Sequence, residues 1–241
     1  DNFEQLQVVC NEAMQASLIG KALIEDFITG TEYGVESFVY RDQIYILGIM
    51  GKIMACPPDY AELGHYMPSN LQIEEKVKAV VKAAIQALEI NFGSVNMDLL
   101  ITEDNRVCIV DVGARMGGNL IGSHVIPLGS GIDYLGNIIR AAVGDPVDFT
   151  KRYSGLSVAT RLLALSPGRI AELPNFDEIE QQYCVKVYHN LNIGDIIKQY
   201  HNNLDGCGYV VATAKTVEEA QQRAEKVKEL INRSIIRDLS S

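Results

Sequence analysis

The stretch from Phe92 to Asn119, FGSVNMDLLITEDNRVCIVDVGARMGGN, constrains this chain more than any other. Val95, Met97, Leu99 and Ile101 alternate with Asn96, Asp98 and Leu100; Val107, Ile109 and Asp111 alternate with Cys108, Val110 and Val112. A period of two in both runs predicts two strands. Asp104-Asn105 between them suits a two-residue hairpin turn, because both residue types tolerate positive φ. A turn centred there sets Asp98 directly opposite Asp111, whereas a slip of one residue separates their faces. Cross-strand partners have Cβ atoms roughly 4.5–5.5 Å apart, so the two carboxylates repel. Either a hard cation such as Mg²⁺, which takes oxygen ligands, sits between them, or both face solvent. A glycine-rich loop holding one arginine, Arg115, follows and ends at Asn119.

The rest of the chain supplies a setting for that hairpin. Its 241 residues are 47% hydrophobic, enough for one large domain or two small ones with a real core. The formal charge of -10 and the lack of any basic run exclude a nucleic-acid-binding surface, though not a site for a single nucleotide. Cys10, Cys56, Cys108, Cys184 and Cys207 are scattered and form no CxxC pair, so they predict neither a disulfide framework nor a zinc site. No signal peptide or membrane-spanning apolar run is present, which predicts a reducing, cytoplasmic setting with no membrane partner. The chain opens at Asp1 directly into a helical pattern, as expected for a piece of a longer protein.

Residues 1–19 read as a helix, with Asp1 and Glu4 at capping-box spacing and Phe3, Leu6, Cys10 and Ala13 on one face. Ala22 to Ile28 reads as a buried strand, and Tyr33 to Tyr40 and Ile44 to Ile49 as a strand pair. Gly51 to Asn70, with Pro57-Pro58 and Pro68, reads as a long loop. Leu71 to Glu89 is an amphipathic helix with Ile73, Val77, Val80, Ala84, Ile85 and Leu88 inward. Short helices are expected at Leu120 to Val125 and Ile132 to Val143. Gly144-Asp145-Pro146 and Lys151 to Gly155 mark a boundary, dividing the chain into 1–150 and a small α+β lobe at 151–241. In that lobe Leu156 to Leu165, Cys184 to Tyr188 and Tyr209 to Ala214 read as strands. A final helix starts at Thr216 and buries Val217, Ala220, Ala224, Val227 and Ile231.

The order Glu25-Asp26-Phe27-Ile28, Gly30-Thr31-Glu32, the loop Gly64 to Leu71, then Asp98, Asp111 and Arg115-Met116-Gly117-Gly118-Asn119 resembles the ATP-grasp superfamily. The likeness is to the branch containing biotin carboxylase, carbamoyl-phosphate synthase and the L-amino-acid ligases, and it covers residues 1–149. It implies an α+β fold with antiparallel sheets and packed helices. It also implies a hinge in which backbone groups of Glu25 and Ile28, beside Asp26, bind adenine and Phe27 gives apolar contact. Glu32 would bind the ribose, Asp98 and Asp111 would hold Mg²⁺ or Mn²⁺ on the ATP phosphates, and Arg115 would act on the γ-phosphate or an acyl phosphate. His65, Asn96, Gly117, Gly118 and Asn119 are the candidate substrate contacts. The implied activity joins a small-molecule carboxylate to an amine or similar nucleophile, with a homo-oligomer as the implied assembly. The alternatives are a bicarbonate-using carboxylase or carbamoyl-phosphate-type enzyme, and a non-catalytic ATP-binding regulator.

The chain departs from the family pattern at two places. Gly113 stands where relatives commonly have Asn, so Asn96 across the hairpin is a candidate replacement ligand, and both metal acids are the shorter Asp. The family's phosphate-covering glycine loop, its two lysines and its N-terminal domain lie upstream of the hinge and are not in this sequence. The expectation is that these 241 residues do not catalyse unaided. Arg161 reads as a residue that reaches the substrate or forms a strand-edge ion pair.

Overall fold

A computed structural model of the protein describes residues 2–56 and 60–238. Helix α1 (Phe3–Ala16) is capped by the Asn2 side chain, which accepts from Gln5 N at 2.9 Å. The expected cap, Asp1, lies outside the described residues, as does Pro57-Pro58. No residue of α1 is buried, so the apolar face read from its periodicity has no partner among the described residues. The segment from Ala22 to Ile28 is not a strand. It runs without regular structure, and Leu23, Ile24 and Phe27 are exposed. Period alone cannot make a strand where no neighbouring backbone offers a ladder of hydrogen bonds.

Four strands then build the site's floor: β1 (Thr31–Tyr40), β2 (Gln43–Met54), β3 (Glu62–Met67) and, after helix α2 (Glu74–Ala87), β4 (Gly93–Ile101). Here the expected loop from Gly51 is corrected. β2 continues to Met54, and β3 pairs with it from Met54↔Glu62 to Gly51↔Tyr66. Gly51 and Gly64, which would mark turns elsewhere, lie within the strands of this hairpin, and Pro68 follows its end. Val77, Val81 and Ile85 of α2 are fully buried against Val35, Val95, Met97 and Leu99. Val81 takes the place expected of Val80, and Leu88 is exposed.

β5 (Val107–Gly113) completes the hairpin, and Asp98 does pair with Asp111. The route differs from the simple turn. Ile101 pairs with Val107 and Leu99 with Ile109, one residue out of the expected register. A bulge at Val110 then restores it. The bulge breaks the alternation expected in β5: Val107 and Val112 both pack on the core, while Ile109 and Val110 are exposed.

After the glycine loop come a π-helical turn (Ile121–Val125) and helices α3 (Ile126–Ser130) and α4 (Tyr134–Val143). They cover Phe38, Leu47 and Met50 on the face opposite α2. The remaining elements are β6 (Ser157–Leu162), β7 (Gly168–Glu172), α5 (Phe176–Tyr183), β8 (Val185–His189), β9 (Ile196–Ile197), β10 (Gly208–Ala214), α6 (Val217–Ser234) and β11 (Ile236–Arg237). The buried stripe of α6 is the five residues its spacing predicts. Thr216 caps the helix, accepting from Glu219 N at 3.2 Å.

Among the described residues the main sheet has eight strands in the order β5-β4-β1-β2-β3-β6-β10-β8, and β11-β7-β9 form a second, three-stranded sheet. Pairing of Tyr66 with Ala159 and Met67 with Val158 carries the main sheet across residue 150 without a break. Arg161 forms the ion pair: its Nε lies 2.7 Å from Glu225 Oε2. No helix of the described residues is long and apolar enough to cross a membrane.

Candidate functional site

One face of the main sheet carries a charged cluster drawn from four strands. Glu32 of β1, Lys52 of β2, Glu62 and His65 of β3 and Asp98 of β4 point the same way. Alternation accounts for Glu32, Lys52 and Asp98. Glu62 and His65 are three apart and would face opposite sides of a regular strand. A bulge beside Leu63, between the pairs Ile53↔Gly64 and Met54↔Glu62, brings both to one face.

Lys52 is the centre of the cluster. Its side chain is 5% exposed, and its Nζ lies 2.7 Å from Asp98 Oδ1, 3.3 Å from Glu62 Oε2 and 4.0 Å from Glu32 Oε2. Burial lowers the lysine's affinity for its proton, but Asp98, Glu62 and Glu32 outweigh that and hold it above the ordinary value. Burial likewise raises Glu62, yet His65, Lys52 and Asn119 together bring its carboxyl down to about 2. Glu32 is raised, chiefly by burial against the opposing pull of Lys52. His65 Nε2 is 3.1 Å from Glu62 Oε2 but poorly angled for a hydrogen bond, so the contact is mainly one of position. His65 was expected in a loop; it is fully buried in β3, where its backbone N donates to Thr160 Oγ1 at 3.0 Å.

A second acid anchors the glycine loop. Glu36 is completely buried in β1 and accepts four hydrogen bonds: Tyr134 Oη at 2.6 Å, Asn96 Nδ2 at 3.0 Å, and Gly117 N at 3.2 Å to each oxygen. Burial pushes its carboxyl up to about 7 against the pull of these donors and of Arg115. A Cβ at Gly117 would meet Asn96 Nδ2 and Glu36 Oε2, each at 2.8 Å, so only glycine lets the loop backbone come this close. Gly118 is exposed with open space about its Cα. Asn119 uses both ends of its amide, donating to Glu62 Oε1 and accepting from Tyr209 Oη at 2.6 Å.

The expected metal acids are brought together by the hairpin register. Asp111 is exposed, and Asp98 already shares one oxygen with Lys52. Among the described residues no three His, Cys, Asp or Glu side chains converge as a metal cage. Two opposed carboxylates fit Mg²⁺ in its usual mode, one or two protein acids with the remaining ligands from water and phosphate. Arg115 is exposed. It donates to Met116 O at 3.1 Å, and no carboxylate of the described residues lies within ion-pair distance. Its charge therefore remains available for an incoming anion.

The expected hinge lies apart from this cluster. Asp26, Phe27, Ile28 and Thr29 line a cavity of about 620 Å³ whose far wall is the β4–β5 turn, Thr102 to Asp104 and Arg106. Glu25 is exposed beside it, and the Phe27 ring lies 5.8 Å from that of Tyr60. Sequence reasoning missed Lys52, Glu62, Glu36, Tyr134 and Tyr209. Lys52 and Glu62 fall in the stretch from Gly51 to Asn70 that reads as a loop; alternation carried through Gly51 brings out Lys52.

The sequence pattern of the ATP-grasp domain matches residues 2–123, and that of L-amino acid ligase C-terminal domain 2 matches residues 161–234. An uncharacterized protein of Sinorhizobium fredii, y4rH, is 27% identical over 220 residues, which is 89% of this chain and 44% of that protein. Phosphoribosylglycinamide synthetase from Anaerococcus prevotii superposes with a TM-score of 0.73 at 24% identity, covering 99% of this chain and 61% of its own. L-amino acid ligase from Bacillus licheniformis does so with a TM-score of 0.72 at 20% identity, covering 88% and 55%. The chain thus spans about half the length of the proteins it matches.

Proposed function

Because this chain belongs to the ATP-grasp family, we propose that it forms part of an ATP-dependent ligase joining a small-molecule carboxylate to an amine or similar nucleophile. The observation that carries this is the charged sheet face, where a buried Lys52 and an unpaired Arg115 flank two opposed aspartates. Such an arrangement suits a polyanion that brings its own divalent cation.

In this reading the carboxylate of the acid substrate attacks the γ-phosphorus of ATP and ADP leaves. The nucleophile then attacks the acyl carbon, losing a proton, and phosphate departs. Protein groups chiefly hold and neutralise, as in other phosphoryl transfers. Asp98 and Asp111 would hold Mg²⁺, which when bound offsets phosphate charge. Arg115 offers a planar fork to the transferred phosphoryl group. Lys52 exchanges part of its contact with Asp98 for a phosphate oxygen. Glu25 to Ile28, with the adjoining cavity, would receive the adenine, and Glu32 the ribose. Glu62 offers a carboxylate to the acid or amine substrate, with the fully buried His65 behind it. Asn119, with one bond at each end of its amide, keeps a second N–H and a second oxygen lone pair that it would offer to substrate.

The test is magnesium-dependent ADP release by the full-length protein over a panel of carboxylates paired with amines, and with bicarbonate as a separate acceptor. Release that requires both a carboxylate and an amine supports the ligase. Release with bicarbonate alone favours a carboxylase. ATP binding without turnover across the whole panel favours a regulator.

A further inference from the structure

The Asn119 amide joins two parts of the chain that lie far apart in sequence. Its Oδ1 accepts from the Tyr209 hydroxyl of β10 at 2.6 Å, and its Nδ2 donates to Glu62 Oε1 of β3. Only one orientation of the amide satisfies both neighbours. Turned over, its oxygen would face a carboxylate oxygen, and two acceptors would be in contact. With Glu62 Oε1 taken by Asn119, Oε2 is the oxygen left for His65 at 3.1 Å and Lys52 at 3.3 Å. We infer that Tyr209 is a positioning residue: its hydroxyl, acting through the Asn119 amide, sets the orientation of the Glu62 carboxylate and thereby the place of Lys52.

Three further observations fit this role. Asn119 and Leu120 have φ of 50° and 62°, so the chain leaves the glycine loop through two left-handed residues and needs outside support there. Tyr209 is half-buried, and burial together with the nearby Glu62 charge pushes its phenol up to about 12, which keeps it a donor at neutral pH. Tyr188, the direct cross-strand partner of Tyr209, reaches the same segment further on: its hydroxyl is 2.8 Å from His124 Nε2. The two tyrosines therefore hold Asn119 and His124 from one face of β10 and β8. Only Tyr209 is linked to Glu62, which makes Tyr188 an internal control.

The chain has four histidines, His65, His124, His189 and His201, so their ring signals can be resolved by long-range ¹H–¹⁵N NMR on the full chain. Tyr209→Phe should move the His65 ring signals and leave those of His124 in place; Tyr188→Phe should do the reverse. Asn119→Gly, which accepts the positive φ, cuts the same link from the other side and should reproduce the His65 shift. The kinetic arm rests on the ligase reading. In the full-length protein Tyr209→Phe should lower kcat about tenfold, the scale of a lost supporting partner, with the KM for ATP changed less than about twofold. His65 signals unmoved in both Tyr209→Phe and Asn119→Gly would overturn the inference, as would a full kcat in Tyr209→Phe. If the wild type shows no turnover at all, the ligase reading fails and the imidazole signals alone decide this one.

Discussion

Lys52 Nζ stands 2.7 Å from Asp98 Oδ1 on the β1 side of that carboxylate, while Asp111 faces Asp98 from β5 on the other. The protein supplies one positive charge of its own, from β2, two strands away from β4 in the sheet. That charge is shared, since Glu32 and Glu62 draw on the same ammonium group as Asp98. The site is left short of positive charge, as a site for a cation-bearing anion should be.

Replacing the lysine tests that balance. Lys52→Met leaves three carboxylates facing one another. A fully buried pair broken on one side costs about 3–5 kcal/mol; with Asp98 about a third exposed, about 1–3 kcal/mol is expected here. Millimolar Mg²⁺ should raise the thermal midpoint of this variant more than that of the wild type. Equal magnesium responses in the two proteins would show that Lys52 does not compete with a cation for Asp98.

Asp111→Asn removes one of the two proposed metal acids at an exposed position. Little loss of stability is expected, within about 0.5 kcal/mol as for most surface changes. ADP release by the full-length protein should fall strongly, with a higher magnesium requirement. Unchanged turnover would sink the metal assignment.

Gly117→Ala places a methyl group 2.8 Å from both Glu36 Oε2 and Asn96 Nδ2. Overpacking of this kind costs about 1–3 kcal/mol, to be read from urea denaturation. Arg115, two residues earlier, should be displaced with the loop, so ligase activity should fall further than stability alone accounts for. A variant as stable and active as the wild type would mean that the loop is not held by Glu36.

Glu36 gives stability a pH dependence of definite sign. Its carboxyl is raised to about 7 in the folded protein, above the ordinary 4.5. Between these values the folded state holds a proton that the unfolded state has released. The contribution is therefore fully present below about pH 4.5 and is lost as pH rises through 7. The slope is on the order of 1 kcal/mol per pH unit across that window. Glu36→Gln should flatten this part of the profile measured by chemical denaturation. A slope identical in both proteins would place the titration elsewhere.

The elements most legible in the sequence are those whose residues answer to their near neighbours. The α6 stripe, Val217, Ala220, Ala224, Val227 and Ile231, follows from helical period alone. So does the α2 core, apart from Val81 in the place of Val80 and an exposed Leu88. The inward run Val95, Met97, Leu99 and Ile101 of β4 follows from a period of two. Where a period was present but its partner lay elsewhere, the reading failed. Leu23, Ile24 and Phe27 have strand character and no strand beside them, and the stretch from Gly51 reads as a loop because nothing local reveals that β3 pairs there.

The sequence by itself determined that Asp98 and Asp111 share a hairpin and that a glycine-rich loop with one arginine follows them. It also carried the order of motifs that identifies the family. Only the tertiary structure decided which charges meet on that face. Lys52, Glu62, Glu36 and Tyr209 converge because two bulges and the order of strands in one sheet bring distant residues into register. Local period fixes which face a side chain takes within its own strand. The neighbour across the sheet depends on pairing between segments up to a hundred residues apart, and no local pattern encodes that.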